Sequence, residues 1–175
     1  EVHQALTEKL NVEFGVRKNI VGIIGTKYTP LDNEWQIKEA LETLLTISGK
    51  MKNPFEKAFL LVVGLSYLQA FADGNKRTAR LVGNAVLLAY NWAPLSYRNI
   101  DEVEYKQALL LFYEQHSLLH FKRIFIDHTK LFSNKALMNK TRIDEEPKGI
   151  ISGLCAKNRS LESIRKLREN YKKYN

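Results

Sequence analysis

A nearly continuous apolar helix that stops on an acidic Gly-Asn turn sets the limits on how this chain can fold. Over residues 54 to 72, Phe55, Ala58, Phe59, Leu60, Leu61, Val62, Leu65, Leu68 and Phe71 cover more than one helical face. Such a segment needs neighbours on several sides. Pro54 after Asn53 supplies the start signal. Asp73-Gly74-Asn75 breaks the period, and Leu81, Val82, Ala85, Val86, Leu88 and Ala89 resume it as a second helix. Trp35, Ile37, Ala40, Leu41, Leu44, Leu45 and Ile47 predict another after Asp32 and Asn33, both suitable caps. Asp101 caps a further one carrying Val103, Ala108, Leu110, Leu111 and Tyr113, and Leu118 to Leu131 is a last apolar stretch. A short hairpin is expected in the Gly-broken segment at 20–30. The fold class is therefore mainly α.

The break after the first apolar helix is also where the chemistry concentrates. The run from Phe71 to Arg80 holds one carboxylate, Asp73, a small-residue turn and three cations, Lys76, Arg77 and Arg80. The turn presents backbone N–H groups at the mouth of a new helix, which favours an anion. Arg77 and Arg80 share a face about 5–6 Å apart, and Lys76 stands one turn before Arg80. Like charges this close repel unless an anion lies between them, and cations oppose the dipole at a helix start. Asp73 could hold Mg²⁺ through one carboxylate, with phosphate oxygens completing its shell. A solvated basic face is the competing reading of the same residues.

The run resembles the signature of the Fic/Doc (Fido-domain) family, His-x-Phe-x-Asp/Glu-Gly-Asn-Gly/Lys-Arg-x-x-Arg. Phe71, Asp73, Gly74, Asn75, Arg77 and Arg80 match in order and spacing, and Lys76 is the variant at the Gly/Lys position. Gly22 to Pro30 is similar to the family's β-hairpin flap, Asn33 to Leu45 to the helix after it, and Asn84 continues the motif helix. The resemblance implies a Fic-fold helical bundle with a β-hairpin flap over the active site, covering roughly residues 10 to 130. It implies ATP and Mg²⁺ as cofactors and AMP transfer to a Ser/Thr/Tyr hydroxyl of a target protein. By that resemblance Asp73 takes the metal, while Gly74, Asn75, Lys76, Arg77 and Arg80 take the nucleotide. Thr26, Lys27, Tyr28 and Thr29 would then align the target by strand addition. Tyr105 lies where family members often place a residue against the adenine, although a core aromatic fits it equally.

Gln69 departs from that pattern. The family's first motif residue is a His that removes the proton from the attacking hydroxyl, and a carboxamide has no titratable acceptor near neutral pH. Loss of such a base costs about 10²- to 10⁴-fold. The histidines are His3, His116, His120 and His128; His116 and His120, four apart on one expected apolar helix, read as packing or surface residues. Lys76 leaves donor orientation open, because the Doc branch with Lys there phosphorylates its target. The expected protein is thus a Fic domain with weak or absent transfer activity. The alternatives are a non-catalytic nucleotide- or protein-binding Fic domain and a Doc-like phosphotransferase variant. An inhibitory helix in cis or in trans is a further partner the family implies. The Thr141/Glu145 pair has the right spacing, but Glu146-Pro147 follows it directly.

With 175 residues and 45% hydrophobic content, one main domain with a proper core is expected over 1–134. No apolar run is long enough for a membrane helix, and a single Cys155 suits a reducing, cytoplasmic setting. Residues 135–175 form a basic extension, in which eleven Lys/Arg against five Asp/Glu carry +6 of the net +8. Ser160 to Tyr174 reads as a helix docking through Leu161, Ile164 and Leu167. With only Tyr171 and Tyr174 for stacking, a nucleic-acid module is the weaker reading.

Overall fold

The computed structural model describes residues 1–10, 12–97 and 100–132. The Thr141/Glu145 pair, Cys155 and the basic extension lie outside them. Among the described residues six helices follow one another: α1 (Val2–Thr7), α2 (Glu34–Lys50), α3 (Pro54–Leu68), α4 (Asn75–Ala89), α5 (Glu102–Gln115) and α6 (Leu119–Phe132). No strand occurs among the described residues.

Helix α3 is the axis of the core, as its all-round apolar pattern requires. Every residue from Ala58 to Leu68 is buried. Its start is as expected, with Asn53 Oδ1 accepting from the backbone N–H groups of Phe55 at 2.9 Å and Glu56 at 3.5 Å. Helix α2 starts on Asn33 rather than Asp32, the Asn33 side chain accepting from Trp35 and Gln36 N–H. It lays Ile37, Ala40 and Leu44 onto α3, while Trp35 turns to solvent. The approach is close: a Cβ on Gly64 would stand 2.6 Å from Leu44 Cδ1. On another side α4 crosses at Gly83, where a Cβ would stand 2.4 Å from Val62 Cγ2. Helices α5 and α6 close the remaining sides with aromatics. Phe59 meets Phe121 and Phe125 at centroid distances of 5.9 and 5.2 Å, and Tyr67 meets Phe112 at 5.2 Å. Each such side chain contributes roughly 1.5–3 kcal/mol by leaving water.

Three expectations are corrected by the packing. Helix α3 ends at Leu68 instead of running to residue 72, because Gln69 takes a left-handed conformation (φ 47, ψ 50). His116 and His120 do not share a helix: α5 stops at Gln115, His116 is its left-handed cap (φ 56), and α6 begins at Leu119. The 20–30 segment turns at Ile24 and Gly25 (φ 89) as a hairpin would, but carries no strand ladder. Its second arm is held by the helices instead of by its first arm. Glu114 on α5 accepts from the Thr26 hydroxyl and, at 2.7 Å, from the Lys27 backbone N–H, and the Tyr28 hydroxyl donates to Tyr67 O at 2.9 Å.

Candidate functional site

The turn between α3 and α4 is built by its own side chains. Asn75 closes it, its Oδ1 accepting from Phe71 N–H at 2.9 Å and its Nδ2 donating to Phe71 O at 2.7 Å. Gly74 stands at φ 77 as the cap of α4, a left-handed position that glycine tolerates best. Helix α1 seals the turn from behind. His3 stacks on Phe71 (3.9 Å, 8° between planes) and its Nε2 lies 3.0 Å from Asp73 O. A Cβ at residue 74 would approach Leu6 Cδ2 to 3.2 Å. Because Gly74 brings no side-chain cap, the first N–H groups of α4 have no side-chain acceptor.

The start of the turn is fixed by Arg17. Its guanidinium is 2% exposed and donates only to backbone carbonyls: Gln69 O at 2.6 Å, Asn19 O at 2.8 Å and Leu31 O. The Arg17 N–H also donates to Ala70 O at 3.0 Å. Burial lowers the Arg17 pKa, opposed by Tyr28 and Asp32. One side chain therefore ties both ends of the 19–31 loop to the residue where the turn begins.

A cleft of about 400 Å³ opens on this turn, lined by Gln69, Asp73, Gly74, Asn75, Lys76, Arg77 and Arg80, with Ala72, Val21 and Gly22. Its polar groups differ in how they are engaged. Gln69 is 7% exposed, and its Nε2 donates to Ser66 O at 2.5 Å. The Tyr113 hydroxyl reaches the same carbonyl at 3.0 Å, and burial raises its phenol pKa. The exposed Asp73 carboxylate pairs with Arg77 Nη2 at 3.0 Å, one turn on. Lys76 is held below the ordinary lysine pKa, first by burial and then by repulsion from Lys106 and Arg80. The Arg80 guanidinium lies 5.3 Å from the centre of the Tyr97 ring.

Of the residues proposed from sequence, the structure gathers Gln69 and the whole 73–80 set along one cleft wall. Asn75 is there chiefly as the brace of the turn, both ends of its amide being taken. The flap contributes differently from expectation: Val21 and Gly22 reach the cleft, while Thr26 to Thr29 do not line it. Tyr28 is 4% exposed, stacked on Tyr113 and tilted against Tyr67, because its ring completes the α3–α5 core. Tyr105 is likewise a core aromatic, 5.3 Å from Phe121. Arg17, His3 and Glu114 were invisible to sequence reasoning, since each acts through a partner 52 or more residues away.

The donor set suits a polyphosphate. Three cations, uncapped helix N–H groups and one accessible carboxylate converge on a space of nucleotide size. No group of three His, Cys, Asp or Glu suited to a metal exists among the described residues. A magnesium ion there would rest on Asp73 and the phosphates themselves, an arrangement normal for that ion. No described helix is long and apolar enough to cross a membrane.

Residues 1–87 match the sequence profile described as the Fic/DOC family. A protein adenylyltransferase Fic from Nematostella vectensis is 36% identical over 80 residues, which are 46% of this chain and 19% of that protein. The chain thus spans about a fifth of the length of that relative. Among solved structures, the BepC protein of Bartonella tribocorum (a VirB-translocated effector, with bound AMPPNP) superposes with a TM-score of 0.53. The identity is 18%, over 64% of this chain and 56% of that one, a likeness of fold.

Proposed function

This chain belongs to the Fic/DOC family through its first 87 residues, and from that premise we propose a nucleotide-triphosphate site whose AMP-transfer chemistry is depressed by Gln69. The observation that carries the reading is the pairing of a complete phosphate-binding wall with a carboxamide at the base position. Arg77 and Arg80 meet the outer phosphates, Lys76 and the α4 N–H groups the inner ones, and Asp73 the metal. A bound magnesium ion would neutralise phosphate charge, and the chain's own part is positioning and electrostatic stabilisation. The acceptor is the hydroxyl of a Ser, Thr or Tyr on a target protein. Support comes from the adenylyltransferase relative and from the nucleotide carried by the structural neighbour.

Gln69 makes the hydroxyl's proton the difficult step. Its Nε2 is turned to Ser66 O, so the amide is held as a donor there. A carboxamide cannot accept a proton at neutral pH, so transfer should run about 10²- to 10⁴-fold below a His-bearing site. The test is covalent labelling of lysate proteins from α-³²P-ATP and from γ-³²P-ATP with Mg²⁺, by the native chain and by Gln69→His. Label from the α-position with His only is expected. Equal α-label from both proteins would refute the role given to Gln69. Label from the γ-position would replace AMP transfer with the phosphotransfer that Lys76 leaves open.

A further inference from the structure

The orientation of Arg80 depends on a loop that follows its own helix. Asn84, one turn after Arg80 on α4, grips Leu95 at both ends: its Oδ1 accepts from Leu95 N–H at 2.9 Å and its Nδ2 donates to Leu95 O at 3.1 Å. Phe55 holds the same loop through an edge-to-face contact with Trp92 at 4.5 Å. Two residues beyond Leu95, Tyr97 is thereby set against the Arg80 guanidinium, 5.3 Å from its carbon to the ring centre. Tyr105 on α5 backs the Tyr97 ring edge-to-face at 5.9 Å and 86°. Both tyrosine hydroxyls are buried without a hydrogen-bond partner among the described residues. The hydroxyl therefore does not explain why a Tyr stands at residue 97, and its aromatic face does.

We propose that Tyr97 is a positioning residue that holds Arg80 in the cleft against the repulsion of Lys76, and so sets affinity for nucleotides with a terminal phosphate. The proposal rests on the nucleotide reading above only for its second half. An arginine side chain has several rotatable bonds, and the neighbouring cation pushes its guanidinium away from the wall. A ring face within about 6 Å counters this without occupying any of the N–H donors that a phosphate needs. A carboxylate in the same place would hold Arg80 equally well but would compete with the ligand.

Two variants separate position from bulk. Tyr97→Phe keeps the ring and removes an unpartnered buried hydroxyl, whereas Tyr97→Leu keeps an apolar side chain without a π face. The first readout uses the protein alone: the Arg80 δ-methylene protons should show a ring-current upfield shift by NMR, retained in Tyr97→Phe and lost in Tyr97→Leu. The second is calorimetric binding of Mg·ATP and of AMP. Tyr97→Leu should weaken Mg·ATP about 3- to 30-fold, leave AMP unchanged, and cause no further loss in an Arg80→Ala background. Tyr97→Phe should bind as the native chain does. An unshifted Arg80 signal in the native chain, or a Leu variant matching the native affinity, overturns the proposal. A shift that vanishes in Tyr97→Leu, in a native chain that binds no nucleotide, upholds the positioning and removes the nucleotide reading.

Discussion

Replacing Arg17 by Met should be among the costliest single changes in this chain, although residue 17 lies in a loop. The guanidinium serves three carbonyls, and their settings differ. Gln69 O is reached inside the protein at 2.6 Å, while the bonds to Asn19 O and Leu31 O are only partly buried. Stranding the first acceptor costs about 2 kcal/mol, and losing each of the others costs roughly 0.5–1 kcal/mol, since water can replace the donor. Met retains the apolar stem and removes a buried cation, which limits the total to about 3–4 kcal/mol. For a chain of this size that is roughly 6–16 °C in Tm. Urea unfolding followed by far-UV circular dichroism gives the difference, with Arg17→Lys as the companion. A lysine keeps the charge but not the planar fork, so it should recover part of the loss. A change below about 1 kcal/mol at unchanged m-value would refute the assignment of Arg17 as the tie between the 19–31 loop and Gln69.

Two further outcomes join those stated for Gln69 and Tyr97. Gly83→Ala gains about 1 kcal/mol of helix propensity, yet its Cβ would stand 2.4 Å from Val62 Cγ2 on a stiff, buried, β-branched side chain. A net destabilisation of about 1–2 kcal/mol is expected, and a stabilised variant in thermal melts would mean that α3 and α4 can separate freely. Stability should also fall above about pH 10. Burial pushes the Tyr105 phenol up to about 12 and raises Tyr97 and Tyr113 as well. The unfolded chain ionises these groups near 10 while the folded chain keeps its protons, so each tyrosine removes about 1.4 kcal/mol per pH unit until its folded pKa is reached. A urea midpoint that stays flat between about pH 9 and 12, read beside tyrosinate absorbance, would contradict this burial.

Much of the fold was readable because its signals are local. The all-round apolar pattern of residues 54–68 could be satisfied only by enclosure. Asn33, Asn53 and Asp101 announced helix starts through short-range side-chain caps. The Asp73-to-Arg80 run was readable for the same reason, since a turn and the first turns of a helix bring those residues together whatever the rest of the chain does. Periodicity failed where a left-handed residue ended a helix early, at Gln69 and His116, because neither residue type signals that conformation. It failed again on exposure: Leu81 and Leu88 fit the apolar face of α4 and yet lie 47% and 56% exposed. Periodicity records which residues share a face and not how wide a stripe its neighbours cover.

The sequence by itself determined a helical core around α3, a phosphate-suited turn at its end, and a carboxamide, Gln69, just before that turn. Tertiary structure alone decided how that turn is held. Arg17 reaches Gln69 across 52 positions and His3 reaches Asp73 across 70. It also decided that Tyr28 is core and that Tyr97 lies against Arg80. These contacts join segments remote along the chain, and their partners become neighbours only once the helices have packed, so no short window of sequence carries their imprint.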